Sequence, residues 1–129
     1  MKKNLSQIQE EKGFLETEGV YDVKVTNVVD KLSKTDKEMT VIELITVSED
    51  ANKAGYKANL YLVWTPEQMG FIKHRLAKMG INVEDEFDTS ELIGNSFTVE
   101  AKYQMQNKVD AFGDIIGQER SDMLNIKVV

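Results

Sequence analysis

The apolar and polar positions of this chain follow two periods, and the points where one gives way to the other define its elements. From Gly19 the residues alternate. Tyr21, Val23 and Val25 are apolar while Asp22, Lys24 and Thr26 are polar, the two-residue period of a half-buried strand. At Asn27-Val28-Val29 the alternation slips by one position, as a bulge would make it do in a strand that bends to serve both halves of a curled sheet. Positions 32–38 are polar and carry Lys34 and Lys37, which reads as a connection. Positions 39–47 are rich in β-branched residues and apolar on both phases apart from Thr40, Glu43 and Thr46, so this second strand is predicted to be central. After a turn region at 48–55, a third strand at 56–64 alternates cleanly. Tyr56, Ala58, Leu60, Leu62 and Trp64 lie on one side, and Lys57, Asn59, Tyr61 and Val63 on the other.

At Thr65 the period becomes that of a helix. Met69, Ile72, Leu76 and Met79 form one apolar stripe, while Lys73, His74, Arg75 and Lys78 fall elsewhere on the circumference. Both ends of this helix are written locally. Thr65 and Gln68 have capping-box spacing, Pro66 occupies the first helical position, and Trp64 is placed to staple onto Met69. Gly80 follows as a left-handed stop. Beyond an acidic stretch, residues 88–95 read as a single helical turn closed by glycine. A fourth strand at 97–103 alternates Phe97, Val99, Ala101 and Tyr103 with Thr98, Glu100 and Lys102, and a fifth at 123–129 puts Leu124, Ile126 and Val128 on one face. Residues 104–121 show no period and are predicted as a long connection or a hairpin extension. Residues 1–18, with Leu5, Ile8, Phe14 and Leu15 among polar neighbours, are expected to be a mobile or loosely docked arm, with 19–129 as the folded domain. Three strands, a helix and two strands, with a phase slip in the first, is the order of a five-stranded OB-fold barrel, all-β apart from one helix between strands three and four. A sandwich or ferredoxin-like fold requires more strands or a second helix.

The bulk numbers narrow the function classes. A chain of 129 residues suits one domain with a single core, and 41% hydrophobic with 29% charged residues is globular composition. Without cysteine there are no disulfides, thiolate nucleophiles or cysteine-based zinc sites. No apolar run has the length of a signal core or a membrane span, so the protein is expected to be soluble and cytoplasmic. The net charge of −6 argues at first against a polyanion partner. Its distribution changes that reading. Glu84, Asp85, Glu86, Asp88 and Glu91 lie together without a base, and subtracting these five from the 22 acids leaves 17 against 16 bases. Setting aside residues 1–18 as well, with four acids and three bases, leaves 13 of each. The body is balanced, and a basic groove is compatible with it.

In this fold ligands meet the face of strands two and three between two flanking loops, and sequence-tolerant single-strand binding needs cations along a backbone and rings on which bases stack. The sequence offers Lys57 and Tyr61 on one side of strand three, Lys34 and Lys37 in the first flanking loop, Lys108 and Phe112 in the second, and Lys102 facing outward on strand four. Any one of these lysines is better explained by a solvated surface, and Tyr61 by covering the sheet; only their convergence on one groove brings the binding reading level with that one. Trp64 is accounted for by packing. His74 has no partner at metal spacing and reads as a surface helix residue, and the acids at 84–91 lack the glycine-centred pattern of a calcium loop. That acidic segment is still a candidate occupant of the groove when nucleic acid is absent, or a contact for a basic partner. There is no phosphate-cradling glycine loop, no G-x-S-x-G and no base-plus-orienter pair, so no enzymatic activity and no cofactor or metal is expected.

Phe14-Leu15 leading into Gly19-Val20-Tyr21-Asp22-Val23-Lys24-Val25, Phe71-Ile72 running to Leu76-Ala77-Lys78-Met79-Gly80, and Glu91-Leu92-Ile93-Gly94-Asn95-Ser96-Phe97-Thr98-Val99 together resemble small phage-encoded single-stranded DNA-binding proteins of the OB-fold type. The resemblance spans roughly residues 14–128 and rests on fold-level motifs. It implies single-stranded DNA as partner, a role in phage DNA replication or recombination inside the bacterial host, and replication or recombination proteins as further partners; whether a second copy of the chain, a homo-oligomer, joins them is a matter for light scattering. The chain departs from bacterial single-strand-binding proteins, which end in an acidic recruiting tail, in ending Leu124-Asn125-Ile126-Lys127-Val128-Val129. The other classes to weigh are a protein-interaction barrel without nucleic-acid binding and an oligosaccharide-binding barrel, the latter wanting more exposed aromatics.

Overall fold

The computed structural model describes residues 1–4, 12–81 and 87–129. The strands are β1 (Gly19–Leu32), β2 (Glu38–Val47), β3 (Lys57–Val63), β4 (Ser96–Val109) and β5 (Ile115–Val128), with one α-helix, α1 (Pro66–Lys78), between β3 and β4. They make a single antiparallel sheet in the order β3-β2-β1-β4-β5, the OB-like arrangement expected from the element order. No ladder joins β3 to β5 among the described residues; the two outermost strands approach each other across a groove instead. Among the described residues no helix is long and apolar enough to cross a membrane.

The two-residue period decides which side chains enter the core. Tyr21, Val23 and Val25 of β1, Ile42 and Leu44 of β2, and Ala58, Leu60 and Leu62 of β3 are buried. They pack with Phe97, Val99 and Ala101 of β4 and Val128 of β5. Each fully buried Val, Leu or Ile stabilises the fold by about 1.5–3 kcal/mol relative to an exposed one. The phase slip in β1 is a register shift. Val25 pairs with Leu44 and Asn27 with Glu43, so Thr26 is the extra residue. Beyond it Val28, not Val29, packs against the core. The 14-residue strand thereby serves β2 along most of its length and β4 through its first half.

Helix α1 contributes Ile72 and Leu76, and Met79 follows at its C-terminus into the same core. Gly80 takes φ +83°, the left-handed stop its position requires. The capping box does not form. Thr65 is the extended N-cap and accepts from Gln68 and Met69 through its backbone carbonyl, with no side-chain cap bond. The staple is absent as well, because Met69 is exposed and Trp64 turns toward β2. Its indole N–H donates to Thr40 Oγ1 at 2.8 Å, that hydroxyl donates to Asp30 Oδ1 at 2.6 Å, and Thr89 Oγ1 donates to Asp30 Oδ2 at 2.9 Å. A partly buried indole N–H needs an acceptor, and the fully buried Thr40 supplies one that Met69 cannot. The 3₁₀ turn Thr89–Leu92 lies where a single turn was predicted and buries Leu92.

Two predicted boundaries move. Residues 104–121 are mostly strand, since β4 and β5 continue outward as a hairpin with Met105 opposite Arg120 and Lys108 opposite Gly117. Only the tip turns. Asp110 Oδ1 accepts from the N–H of Phe112 and of Asp114, and Gly113 sits at φ +84°. The ribbon is exposed on both sides, so its sequence carries no alternation that could have marked it. The arm, for its part, is docked from Lys12 onward. Lys57 N–H donates to Gly13 O and Leu15 N–H to Lys57 O, which lays this segment parallel along the outer edge of β3. Leu15, 7% exposed, enters the core. Tyr103 donates its hydroxyl to Glu16 O, and Tyr21 donates to Thr17 O at 2.8 Å. Burial, with a smaller contribution from Tyr56, raises the Tyr21 pKa and keeps that phenol a donor. Leu5 and Ile8 lie outside the described residues.

Candidate nucleic-acid interface

The outer face of β1, β2 and β3 can be read row by row from the pairing. Lys24, Ile45 and Lys57 form one row, Asn27, Glu43 and Asn59 the next, then Val29, Val41 and Tyr61, and finally Lys31, Met39 and Val63. Lys57 and Tyr61 are exposed on the outer side of β3 while Ala58, Leu60 and Leu62 point inward, as the alternation predicts. Four residues apart on one strand, their Cα atoms are separated by about 13 Å at a rise of about 3.3 Å per residue. Tyr61 is 52% exposed, and its row neighbour Val41 is buried although it faces outward. Two acids stand on this side: Glu43, which accepts from Asn27 Nδ2 at 2.8 Å, and Asp22, two positions before Lys24 on β1, which accepts from Thr98 Oγ1 at 2.8 Å.

The flanking elements sit at opposite ends of this wall. The β1–β2 turn is tight, with Ser33 N–H donating to Lys37 O at 2.8 Å and Asp36 at φ +59°, and it presents Lys34 and Lys37 exposed beside the Met39–Val63 row. The β4–β5 hairpin leaves the barrel at the other end, because β4 passes Gly19 at Ala101 while β2 passes the Lys57 row at Ile45. Phe112 stands at its tip, 89% exposed, and so is presented to solvent and not tucked into a satellite core. Lys108 is a strand residue of that hairpin, not the loop residue expected. Lys102 is exposed on β4 opposite Asn125, one strand removed from the groove. Thus Lys57 and Tyr61 share a wall, Lys34 and Lys37 lie at one end, and Lys108 and Phe112 reach out from the other. Glu84, Asp85 and Glu86 lie outside the described residues; Asp88 caps the 3₁₀ turn by accepting from Ser90 N–H at 2.9 Å, which lowers its pKa.

Beside this wall runs the groove between β3 and β5, about 670 Å³ in volume. Residues 57–61 of β3 form one side, residues 123–127 of β5 the other, and Phe14 and Leu15 of the docked segment also line it. The helix contributes Phe71 and Arg75. Arg75 donates to the carbonyl of Tyr61 at 3.3 Å, and its guanidinium lies 4.9 Å from the centroid of the Phe71 ring. Burial lowers the Arg75 pKa below its ordinary value, and a guanidinium stays charged nonetheless. Sequence reasoning passed over Phe14, Phe71 and Arg75 as interface residues. A signal was present: Phe71 falls off the apolar stripe with an arginine four residues on, the spacing at which two side chains meet on an exposed helix face. No protein-family model and no curated protein matches this chain.

Proposed function

We propose that this protein binds single-stranded DNA without strong sequence preference, in the replication or recombination setting that the phage-family resemblance implies. The reading is supported above all by one observation: a half-exposed tyrosine and a lysine stand on the same outer side of β3, on an OB-like barrel, between a lysine-bearing turn and an exposed aromatic hairpin tip. Tyr61 and Phe112 offer faces on which bases stack, worth about 1–3 kcal/mol per base. Lys34, Lys37, Lys57, Lys102 and Lys108 neutralise phosphates, and affinity then falls with salt at a slope of about −0.7 per phosphate neutralised. The excess of acid does not oppose this, because binding is decided by charge within about a Debye length of the backbone, roughly 10 Å at moderate salt.

A gel shift with a labelled single strand of about 30 nucleotides, long enough for more than one barrel, tests the reading against duplex of the same sequence. The expected result is preference for the single strand, weakened by salt and reduced in the Tyr61→Ala variant more than in Tyr61→Phe. No shift at micromolar protein removes the proposal. It would favour docking of a protein partner, for which Met105, Val109, Ile115 and Ile116, all more than half exposed on the hairpin, are the supporting observation.

A further inference from the structure

We infer that the groove between β3 and β5 is itself part of the binding path, with Arg75 as the seat of a backbone phosphate and the rings of Tyr61 and Phe14 receiving the neighbouring bases. The inference rests on the single-strand reading above and adds to it a site built by the helix. Three observations carry it. The first is charge. Among the described residues the groove takes Lys57, Arg75 and Lys127 from its walls and no aspartate or glutamate, in a chain whose acids outnumber its bases 22 to 16. A recess walled by cations on an acidic protein is complementary to a polyanion.

The second observation is the state of Arg75. Its side chain is partly buried, and desolvating a cation is costly unless something of opposite charge faces it. What faces it here is a ring and one carbonyl. Phe71 supports the guanidinium from one side and Tyr61 O takes one N–H, so the group is held in place. The remaining N–H donors of the planar fork are matched to the oxygens of a phosphate. The third observation is the rings. Phe14, Tyr61 and Phe71 line the groove and are 61%, 52% and 53% exposed, and three half-exposed aromatics around one recess leave a large apolar area open to water. Nucleobases cover such rings while the phosphates between them meet the cations. An acidic peptide satisfies the cations alone, which is why the polynucleotide is the occupant assigned.

The test uses the full-length protein and fluorescence anisotropy with labelled oligo-dT over a range of salt. Arg75→Ala is expected to weaken binding by about tenfold and to flatten the salt slope by about 0.7, the loss of one phosphate contact. Arg75→Lys keeps the charge but not the fork, so the slope stays and part of the affinity goes. Lys78→Ala, the same loss of charge on the same helix but outside the groove, is expected to leave both unchanged. A check without substitution avoids any effect on folding: the chain has two arginines, Arg75 and Arg120, so the Nε–H resonance of Arg75 can be followed in the unaltered protein, and it shifts on adding oligo-dT if the assignment holds. If the unaltered protein binds oligo-dT while Arg75→Ala retains its affinity and slope and the resonance does not move, the groove is excluded and the path returns to the β2–β3 wall. Equal displacement of oligo-dT by polyglutamate at matched charge also overturns the assignment. Failure of the unaltered protein to bind any single strand overturns the functional reading and the groove with it.

Discussion

Thr40 joins three parts of the chain through one hydroxyl. Sitting fully buried on β2, it accepts from the Trp64 indole and donates to Asp30 of β1, whose second oxygen holds Thr89 of the 3₁₀ turn. Replacing it with valine keeps the shape and removes both bonds, leaving an indole N–H and a carboxylate to find other partners. Thr40→Val is therefore expected to lower stability by about 1–3 kcal/mol in urea denaturation. Because the cost comes from unpaired groups, the double variant Thr40→Val with Trp64→Phe should lose less than the sum of the two single changes, and strict additivity would contradict the network. The residue scale is also where local sequence rules were least reliable. Thr65, Gln68, Trp64 and Met69 satisfy the spacing of a cap and a staple, yet the tryptophan is drawn sideways by an acceptor that is 24 positions away and invisible to any local pattern.

Among the elements, the docked segment before β1 and the 3₁₀ turn carry the sharpest expectations. Among the described residues of the N-terminal segment Leu15 is the one that enters the core, so Leu15→Ala is expected to cost about 2–5 kcal/mol by the same denaturation measurement. A loosely docked arm would cost no more than about 0.5 kcal/mol, the range of surface substitutions. At the 3₁₀ turn, the backbone N–H of Ser90 and then its hydroxyl hold the Asp88 carboxyl below its ordinary pKa of 3.8. A group whose folded pKa is depressed contributes stability that is complete above the unfolded value and is lost as pH falls through the folded one. The difference in melting temperature between the protein and its Asp88→Ala variant should accordingly be constant above about pH 5 and shrink toward zero below the ordinary value, since unfolded aspartate titrates near 3.9. A difference that grows on acidification would contradict the cap. The elements that the sequence made legible, β1 to β3, α1, the 3₁₀ turn and the parts of β4 and β5 within residues 97–103 and 123–129, are those that send side chains into the core. Where burial stops, as on the ribbon of residues 104–121, the alternation stops too, and strand could not be told from loop.

For the molecule as a whole, charge and topology do different work. A net charge of −6 sets the long-range field, while the cations of the proposed nucleic-acid path are local, on one wall, one turn and one groove. From the order of its periods, the sequence by itself determined the OB-like topology, the bulge that bends β1, and which side of β3 carries Lys57 and Tyr61. These follow from a period of two and a period of 3.6, which are properties of neighbours along the chain. The tertiary structure alone decided that the last seam of the barrel is a groove and not a ladder, that residues 13–15 lie along its β3 edge, and that Phe71 and Arg75 of the helix stand beside Tyr61. Such juxtapositions depend on how a curled sheet brings its first and last edges together, a distance set by twist and packing over the entire barrel, and no spacing along the sequence encodes it.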